Sequence, residues 1–452
     1  MRMSEIRVRA IVVHVELKRR GGNSQAKGPS LRSPVARLEE ARSLALAVGL
    51  EVIEAFTVTL AEPNPRTLLG SGKVHAITEL VARTDAELVI VDGQLSPVQQ
   101  RNLEKAWKAK VLDRIGLILE IFGERAQTRE GSLQVELAHL QYQKSRLVRS
   151  WTHLERQLGG FGFLGGPGES QLEIDRRLIQ QRIGRIEEEL ESVKRTRALH
   201  RQSRARVPYP VVALVGYTNA GKSTLFNRLT NSGVVAKDMV FATLDPTMRE
   251  VTLPQGRKII LSDTVGFISD LPTMLVAAFG ATLEEVLSAD LILHVRDISH
   301  EDSEAQAGDV ESVLAELGLD ELRRRNVIEV WNKIDLVGEE ERRQALASLS
   351  RRRENVVLTS SVTGEGLDVL LDLIEQRLAA ASVVFEIELG SEQGQELSWL
   401  YSRGEILSRQ DDGEQGRVRL RVRFDPAVAP LARARLGDRM KAIGDVLRPA
   451  AE

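Results

Sequence analysis

Val211-Val212-Ala213-Leu214-Val215-Gly216-Tyr217-Thr218-Asn219-Ala220-Gly221-Lys222-Ser223 is the stretch that decides the fold. An apolar strand runs into a loop bounded by glycines and closed by Lys-Ser, and Thr224-Leu225-Phe226-Asn227 continues in helical character. Strand, loop and helix in that order make the pattern a phosphate loop, whose glycines let backbone N–H groups converge on a β-phosphate. Lys222 is placed to reach the β- and γ-phosphates and the Ser223 hydroxyl to ligate magnesium. The pattern implies a nucleoside triphosphate.

The base is read downstream. After the strand Val327 to Trp331 comes Asn332-Lys333-Ile334-Asp335. A carboxylate at Asp335 can accept from the guanine N1 and N2 donors, which adenine lacks, so guanine is the expected base. Asn332 is expected to brace the loop and touch the base edge, and the Lys333 stem to cover the ring. Asp263-Thr264-Val265-Gly266 ends a strand, with Asp263 set to hold magnesium through water and Gly266 to offer its N–H to the γ-phosphate. Phe241-Ala242-Thr243-Leu244-Asp245-Pro246-Thr247 falls where a first switch loop belongs; Thr243 is the expected magnesium ligand and Thr247 the competing one. Ser360-Ser361-Val362 fits the loop that meets the guanine O6 through backbone amides. Lys222, Thr243 and Gly266 are the residues expected to serve hydrolysis. Phe267 stands where many GTPases have a water-orienting glutamine, so slow intrinsic turnover is expected.

The chain has 452 residues, 42% hydrophobic and 28% charged, which implies several domains and excludes wholesale disorder. It contains no cysteine and only seven histidines, so thiol chemistry is excluded and any metal is expected on oxygen. No run is apolar for long enough to span a bilayer, and the reading is a soluble, intracellular protein. A net charge of −2 gives no global pull on nucleic acid, although Lys194, Arg195, Arg197, Arg201, Arg204 and Arg206 form a local basic run. That run reads either as a helix end and linker or as a phosphate-facing patch.

Residues 1–130 alternate strand-like runs (Ile6 to Leu17, Glu51 to Leu60, Glu87 to Asp92) with helix-like ones (Pro34 to Val48, Lys73 to Arg83, Pro97 to Trp107), the rhythm of a mainly parallel α/β domain. Gly70-Ser71-Gly72-Lys73 lacks the phosphate-loop spacing and reads as a structural turn. Over 131–206, Leu133, Leu137, Leu140, Leu147, Trp151, Leu154 and Leu158 face a second series, Leu172, Ile179, Ile183, Ile186, Leu190 and Val193. Two helices meeting along a heptad seam predict an antiparallel hairpin whose first arm is ~40 Å long. Its tip is Gly159-Gly160-Phe161-Gly162-Phe163-Leu164-Gly165-Gly166-Pro167-Gly168. Glycines admit a close phosphate backbone and phenylalanines stack on unpaired bases, so these ten residues read either as a contact surface, whose partner composition does not name, or as a floppy connector. Residues 207–380 form the GTPase domain. Residues 381–452 read as a small α+β module, with a strand over Val383 to Leu389, a helix over Gln395 to Leu407, and Arg417, Arg419, Arg421 and Arg423 on one strand face. That face is either solvated or a contact surface.

With these motifs in order, the chain resembles the HflX family of translational GTPases. The likeness rests on Asp263-Thr264-Val265-Gly266-Phe267-Ile268, the run Phe241 to Thr247, Asp113 to Gln134 with Thr128-Arg129-Glu130-Gly131, and Gly165-Gly166-Pro167-Gly168-Glu169-Ser170-Gln171-Leu172-Glu173. The family commonly has Arg where Gly280 stands, Thr at Ser170 and a more basic tip at Phe161 to Leu164. The resemblance implies a cytoplasmic monomer that binds GTP or GDP with Mg2+, engages the large ribosomal subunit and its RNA, and splits stalled ribosomes, the hairpin tip reaching toward the peptidyl transferase centre. The alternatives are a GTPase of RNA maturation or tRNA modification, or RNA remodelling by the N-terminal domain.

Overall fold

The computed structural model describes residues 8–18, 32–157, 171–204, 209–231, 241, 247–269, 285–318, 326–340, 342, 355–381, 383–390, 392–412, 416–424 and 428–443. The hairpin tip Gly159 to Gly168 and the switch residues Ala242, Thr243, Leu244 and Asp245 lie outside them, as does Leu158. The protein has mixed α/β architecture: an α/β unit, a helical hairpin, a P-loop GTPase sheet with its helices, and a small α+β unit.

The first sheet is parallel, in the order β2-β1-β3-β4, from β1 (Arg9–Leu17), β2 (Glu51–Leu60), β3 (Leu88–Asp92) and β4 (Lys110–Asp113). Helices α1 (Pro34–Ala47), α2 (Ser71–Thr84), α3 (Pro97–Trp107) and α4 (Arg114–Arg125) cover it. All five residues of β3 are buried, as expected of a parallel strand covered on both faces. Helix α3 begins on a capping box, Ser96 and Gln99 exchanging side-chain bonds with each other's backbone. Gly70 is the N-cap of α2, so Ser71 to Lys73 form its first turn rather than a loop.

The sequence reading passed over β4 and α4 as elements. The strand has only four residues, and α4 is buried without a break from Gly116 to Leu119 and again at Ile121 and Phe122, with Glu120, Gly123 and Glu124 left exposed. The burial follows from two neighbours: α4 packs on its own sheet and also on the GTPase unit. Phe122 meets Phe241 edge to face, centroids 4.7 Å apart. One continuous apolar core joins Ile118, Ile121 and Phe122 to Val215, Val265 and Phe267.

The hairpin consists of α5 (Arg129–Gln157) and α6 (Gln171–Arg204). At ~1.5 Å per residue the 29 residues of α5 extend about 43 Å. Leu133, Ile186 and Leu190 form the seam, with Leu137, Leu140 and Val193 packed beside them. Glu136 accepts from Arg182 at 2.8 and 3.0 Å, and Arg129 pairs with Glu189, which fixes the antiparallel register. Lys144, the polar interruption, is bonded across the seam to Gln180. The basic run from Lys194 is the C-terminal part of α6 as far as Arg204.

The second sheet has the order β10-β9-β8-β5-β7-β6, formed by β5 (Val211–Gly216), β6 (Thr247–Thr252), β7 (Lys258–Asp263), β8 (Leu291–Asp297), β9 (Val327–Asn332) and β10 (Val356–Leu358). Only β6 runs antiparallel. Helices α7 (Lys222–Thr230), α8 (Ser303–Glu316) and α9 (Leu367–Ala381) accompany it. Every residue of β8 is buried, His294 included, and its Nε2 has no hydrogen-bond partner among the described residues. Burial, and secondarily Arg296, pushes the imidazole pKa down to about 4. An unfolded histidine binds its proton near ~6.5, so between about 6.5 and 4 the unfolded chain is protonated and the folded chain is not. Stability is therefore lost as pH falls through that window, by on the order of 3 kcal/mol. The His294→Phe variant should show a flatter dependence of urea midpoint on pH there; an unaltered curve would refute the assignment.

The third sheet is antiparallel, β12-β13-β11-β14, from β11 (Val383–Gly390), β12 (Glu405–Asp412), β13 (Arg417–Phe424) and β14 (Met440–Ile443), with helices α10 (Gly394–Arg403) and α11 (Ala429–Leu436). The expected helix to Leu407 stops at Arg403, and Glu405 onward is strand. At Gly404 the backbone presses on the sheet: a Cβ there would stand 2.4 Å from Val422 Cγ1. Leu420, Val422 and Phe424 point into the core and the alternating arginines point out. Arg419 donates to Glu388 and Arg423 to Glu405, while Arg421 lies opposite Glu386. This charge-balanced face fits the solvated reading.

Candidate nucleotide site and its interdomain wall

The P-loop follows β5 and leads into α7. Gly221 has φ 94°, a region that L side chains avoid, and a Cβ on it would stand 2.2 Å from Asn332 Nδ2. Glycine is required there because the guanine-side loop closes directly on the phosphate-side loop. Asn332 makes that closure. Its Nδ2 donates to the Ala220 carbonyl at 2.9 Å, and its Oδ1 accepts from the Ser361 amide at 3.0 Å and hydroxyl at 2.9 Å. Asn332 is thus the brace expected of it, holding the loop of Ser360, Ser361 and Val362 against the P-loop. Lys333, at φ 65°, is ion-paired with Asp297 at 2.7 Å. Ile334 is buried and Asp335 exposed on the short 3₁₀ turn Ile334–Leu336, leaving the Asp335 carboxylate open to a base.

Lys222 is buried, and its ammonium donates to the carbonyls of Gly216 at 3.1 Å and Tyr217 at 2.7 Å. Burial pushes its pKa down to about 8, with Asp263 opposing the shift. Ser223 Oγ donates to Asp263 Oδ2 at 2.7 Å, while Thr224 lies one residue further along α7. A hydroxyl and a carboxylate meeting at the loop mouth are the hard oxygen donors that magnesium takes, so these residues fit that ion. Thr247 is the first residue of β6 and pairs with Asp263 across the sheet, so the competing switch threonine sits at a strand edge.

Beyond Asp263 the chain is fastened to the P-loop. Thr264 Oγ1 donates to the Leu214 carbonyl. The Phe267 amide donates to the Gly216 carbonyl at 3.1 Å, and the Thr218 amide to the Phe267 carbonyl at 2.7 Å. Val265 and the Phe267 ring are buried in the shared core. Gly266 lies so close that a Cβ on it would be 2.9 Å from Thr218 Cα and 3.0 Å from Lys222 Nζ. The exposed Asn219 completes the outer rim.

One wall of the site comes from the N-terminal unit, which the motifs did not indicate. Tyr217 Oη donates to Glu40 of α1 at 2.9 Å and accepts from Arg32 and from the Ser269 amide, both at 2.7 Å. Ser269 Oγ donates to Glu40, and Arg114 of α4 donates to the Ser269 carbonyl at 3.1 Å and hydroxyl at 2.9 Å. Arg114 also bonds Glu40 and Asp92, and Asp92 accepts from His14 Nδ1 at 2.7 Å. Burial and the neighbouring Glu40 hold the Tyr217 phenol above its ordinary pKa, so it stays protonated and can donate. A cleft of about 280 Å³ lies between α1 and the P-loop, lined by Arg32, Glu39, Glu40, Thr218, Asn219 and Asp297. The available signal was Tyr217: a phenol inside a glycine-rich loop needs a polar partner, and the loop itself offers none.

Comparison with known proteins agrees with this geometry. Residues 35–123 match the family model described as GTP-binding GTPase N-terminal, and 125–204 the GTP-binding GTPase middle region. Residues 211–333 match 50S ribosome-binding GTPase, and 345–445 the HflX C-terminal domain. GTPase HflX of Magnetococcus marinus is 50% identical over 372 residues, 82% of this chain and 84% of the relative. GTPase HflX of Escherichia coli strain K12 is 44% identical over 387 residues, 86% of this chain and 89% of the relative. GTPase HflX of Lacrimispora saccharolytica is 42% identical over 413 residues, 91% of this chain and 93% of the relative. With four family models matched in order along the chain and relatives covering 82% to 91% of it, the protein is a GTP hydrolase that belongs to the HflX family of GTPases.

Proposed function

We propose that this GTPase is a cytoplasmic, monomeric factor that binds the large ribosomal subunit in its GTP form and separates stalled or idle ribosomes into subunits. The observation that carries the reading is the hairpin: an arm of about 43 Å on the same unit that touches the nucleotide switch at Ser269. Such an arm can bring the tip Gly159 to Gly168 into an RNA cavity that the GTPase unit cannot enter. The description 50S ribosome-binding GTPase, matched over the nucleotide-binding unit, supports the choice of partner.

In this reading Lys222 neutralises charge at the β- and γ-phosphates, Gly266 offers its N–H to the γ-phosphate, and Asp335 selects guanine. Magnesium, when bound, supplies charge stabilisation at the phosphate oxygens; Ser223 and Asp263 would hold it, with Thr243 as the switch ligand. The Phe267 ring is buried and has no polar atom, so it cannot orient an attacking water. Turnover in the isolated protein is accordingly slow, and the ribosome stimulates it by ordering the switches.

Replacing Gly159 to Gly168 by a short polar turn tests the reading, because the tip is remote in sequence from every nucleotide motif. GTP affinity should stay within ~2-fold while subunit separation, followed by sedimentation, is abolished. A tip-less protein that splits ribosomes as well as the parent would overturn the proposal.

A further inference from the structure

Two adjacent residues at the end of β4 face in different directions, and each bonds a different neighbour. Arg114 reaches across to the GTPase unit, holding Ser269 and Glu40 and resting on Asp92. Asp113 is 1% exposed and faces the hairpin: it accepts from the Tyr142 phenol at 2.6 Å and pairs with Arg146, both on α5. Asp113 also caps α4 through the Gly116 amide at 2.9 Å, so the same carboxylate orients the helix that begins with Arg114. Arg146 in turn lies 4.3 Å over the Tyr142 ring and bonds Gln100 of α3. The arm is therefore fastened to the unit that contacts Ser269, and the two attachments are consecutive in the chain.

Ser269 can act as an input because it is three residues beyond Gly266. The segment between them is zipped to the P-loop through the Thr218 and Phe267 amides. Gly266 is packed against Thr218 and Lys222, so admitting a γ-phosphate between Lys222 and the Gly266 N–H pulls against those bonds. Any shift of Gly266 is passed to Ser269, and from there to Arg114 and Glu40. Buried charged hydrogen bonds resist being stretched individually, so the unit answers by moving as a body.

We propose that Asp113 and Arg114 are positioning residues that couple the γ-phosphate switch at Ser269 to the hairpin arm at Tyr142 and Arg146. The proposal rests on reading the hairpin as the working tip, and it adds how the tip is informed of the nucleotide. Coupling is reciprocal: if GTP biases the arm, seating the arm on RNA biases the switch toward GTP by the same factor. Tyr142 and Arg146 act through Asp113 and touch no nucleotide motif.

Hydrogen exchange of full-length protein, with GDP and with a non-hydrolysable GTP analogue, reads the coupling directly. In the parent, exchange over 129–146 should differ between the two nucleotides. Tyr142→Phe keeps the ring over Arg146 and removes the bond to Asp113; it should shrink that difference at least threefold while both nucleotide affinities remain within ~2-fold of the parent. Arg114→Lys should shrink it similarly, and the double variant should lose no more than either alone, as expected of one shared linkage. If Arg114→Lys does not fold, Tyr142→Phe decides. A parent without a nucleotide-dependent difference, or a Tyr142→Phe variant that keeps the parental difference, overturns the coupling. Sedimentation with large subunits separates this from the functional reading: a parent that shows the exchange difference but never binds the subunit would overturn the ribosomal role and leave the coupling standing.

Discussion

In the Asp335→Asn variant, GTP loses its advantage over xanthosine triphosphate by ~10²-fold or more, and preference shifts to the xanthine nucleotide. Asp335 is exposed on its 3₁₀ turn, so the exchange costs the fold little. The carboxylate can accept from guanine N1 and N2. An asparagine amide turns one of those acceptors into a donor, which opposes the guanine amino group and suits the xanthine carbonyl. Sites that pair with a substrate donor reject a mismatched base steeply, because the buried group is left unpaired. Competition binding with GTP, xanthosine triphosphate and ATP checks the outcome, and unchanged GTP preference would remove Asp335 from the base site. Asn332, by contrast, is the structural half of the tetrad: its bonds to Ala220 and Ser361 are internal, so changing it would disturb both loops together.

Lys222→Ala is the second large effect, and it divides stability from activity. The ammonium is buried among carbonyls with its pKa pushed down to about 8. Between about 8 and the ordinary ~10.5 the unfolded chain keeps a proton that the folded chain has released, so stability rises with pH through that window. Below about 8 the charge is retained at the full cost of burial, on the order of 3 kcal/mol. The alanine variant should therefore lose the alkaline rise and, without nucleotide, be no less stable than the parent at pH 7. Hydrolysis should nevertheless fall by ~10²–10³-fold or more, as when a preorganised electrostatic group is removed from a phosphoryl-transfer site. Urea titrations at pH 7 and pH 10, beside single-turnover hydrolysis, separate the two. A variant that is destabilised at pH 7 yet hydrolyses GTP normally would reverse the assignment.

Elements with a clear period were readable in advance. Glu51–Leu60 and Pro97–Trp107 have the expected limits, and at Leu133, Leu137, Leu140, Ile186, Leu190 and Val193 the hairpin seam follows the leucine and isoleucine series, because apolar spacing alone sets which face is covered. What a second unit contributes was not readable. Helix α4 buries Ile118, Ile121 and Phe122 in a core shared with the GTPase unit while Glu120 and Glu124 stay exposed, and Gly404 ends α10 because Val422 and Phe424 stand against it from another strand.

The nucleotide motifs were legible in the sequence alone because each proposed phosphate or base contact uses neighbouring residues on a single turn: Gly216 to Ser223, Asp263 to Gly266, Asn332 to Asp335. Their local backbone and side-chain types suffice to define donors and acceptors. The junction of Arg32, Glu40, Arg114, Tyr217 and Ser269 was decided only by tertiary structure. Those residues lie on four separate segments, Arg32 and Glu40 sharing the first, none diagnostic by itself, and their charges are held in a buried setting where each one requires the others. Sequence spacing shows which donors and acceptors a loop carries, whereas only the packing of α1 and α4 on the GTPase unit shows which distant side chains that loop touches.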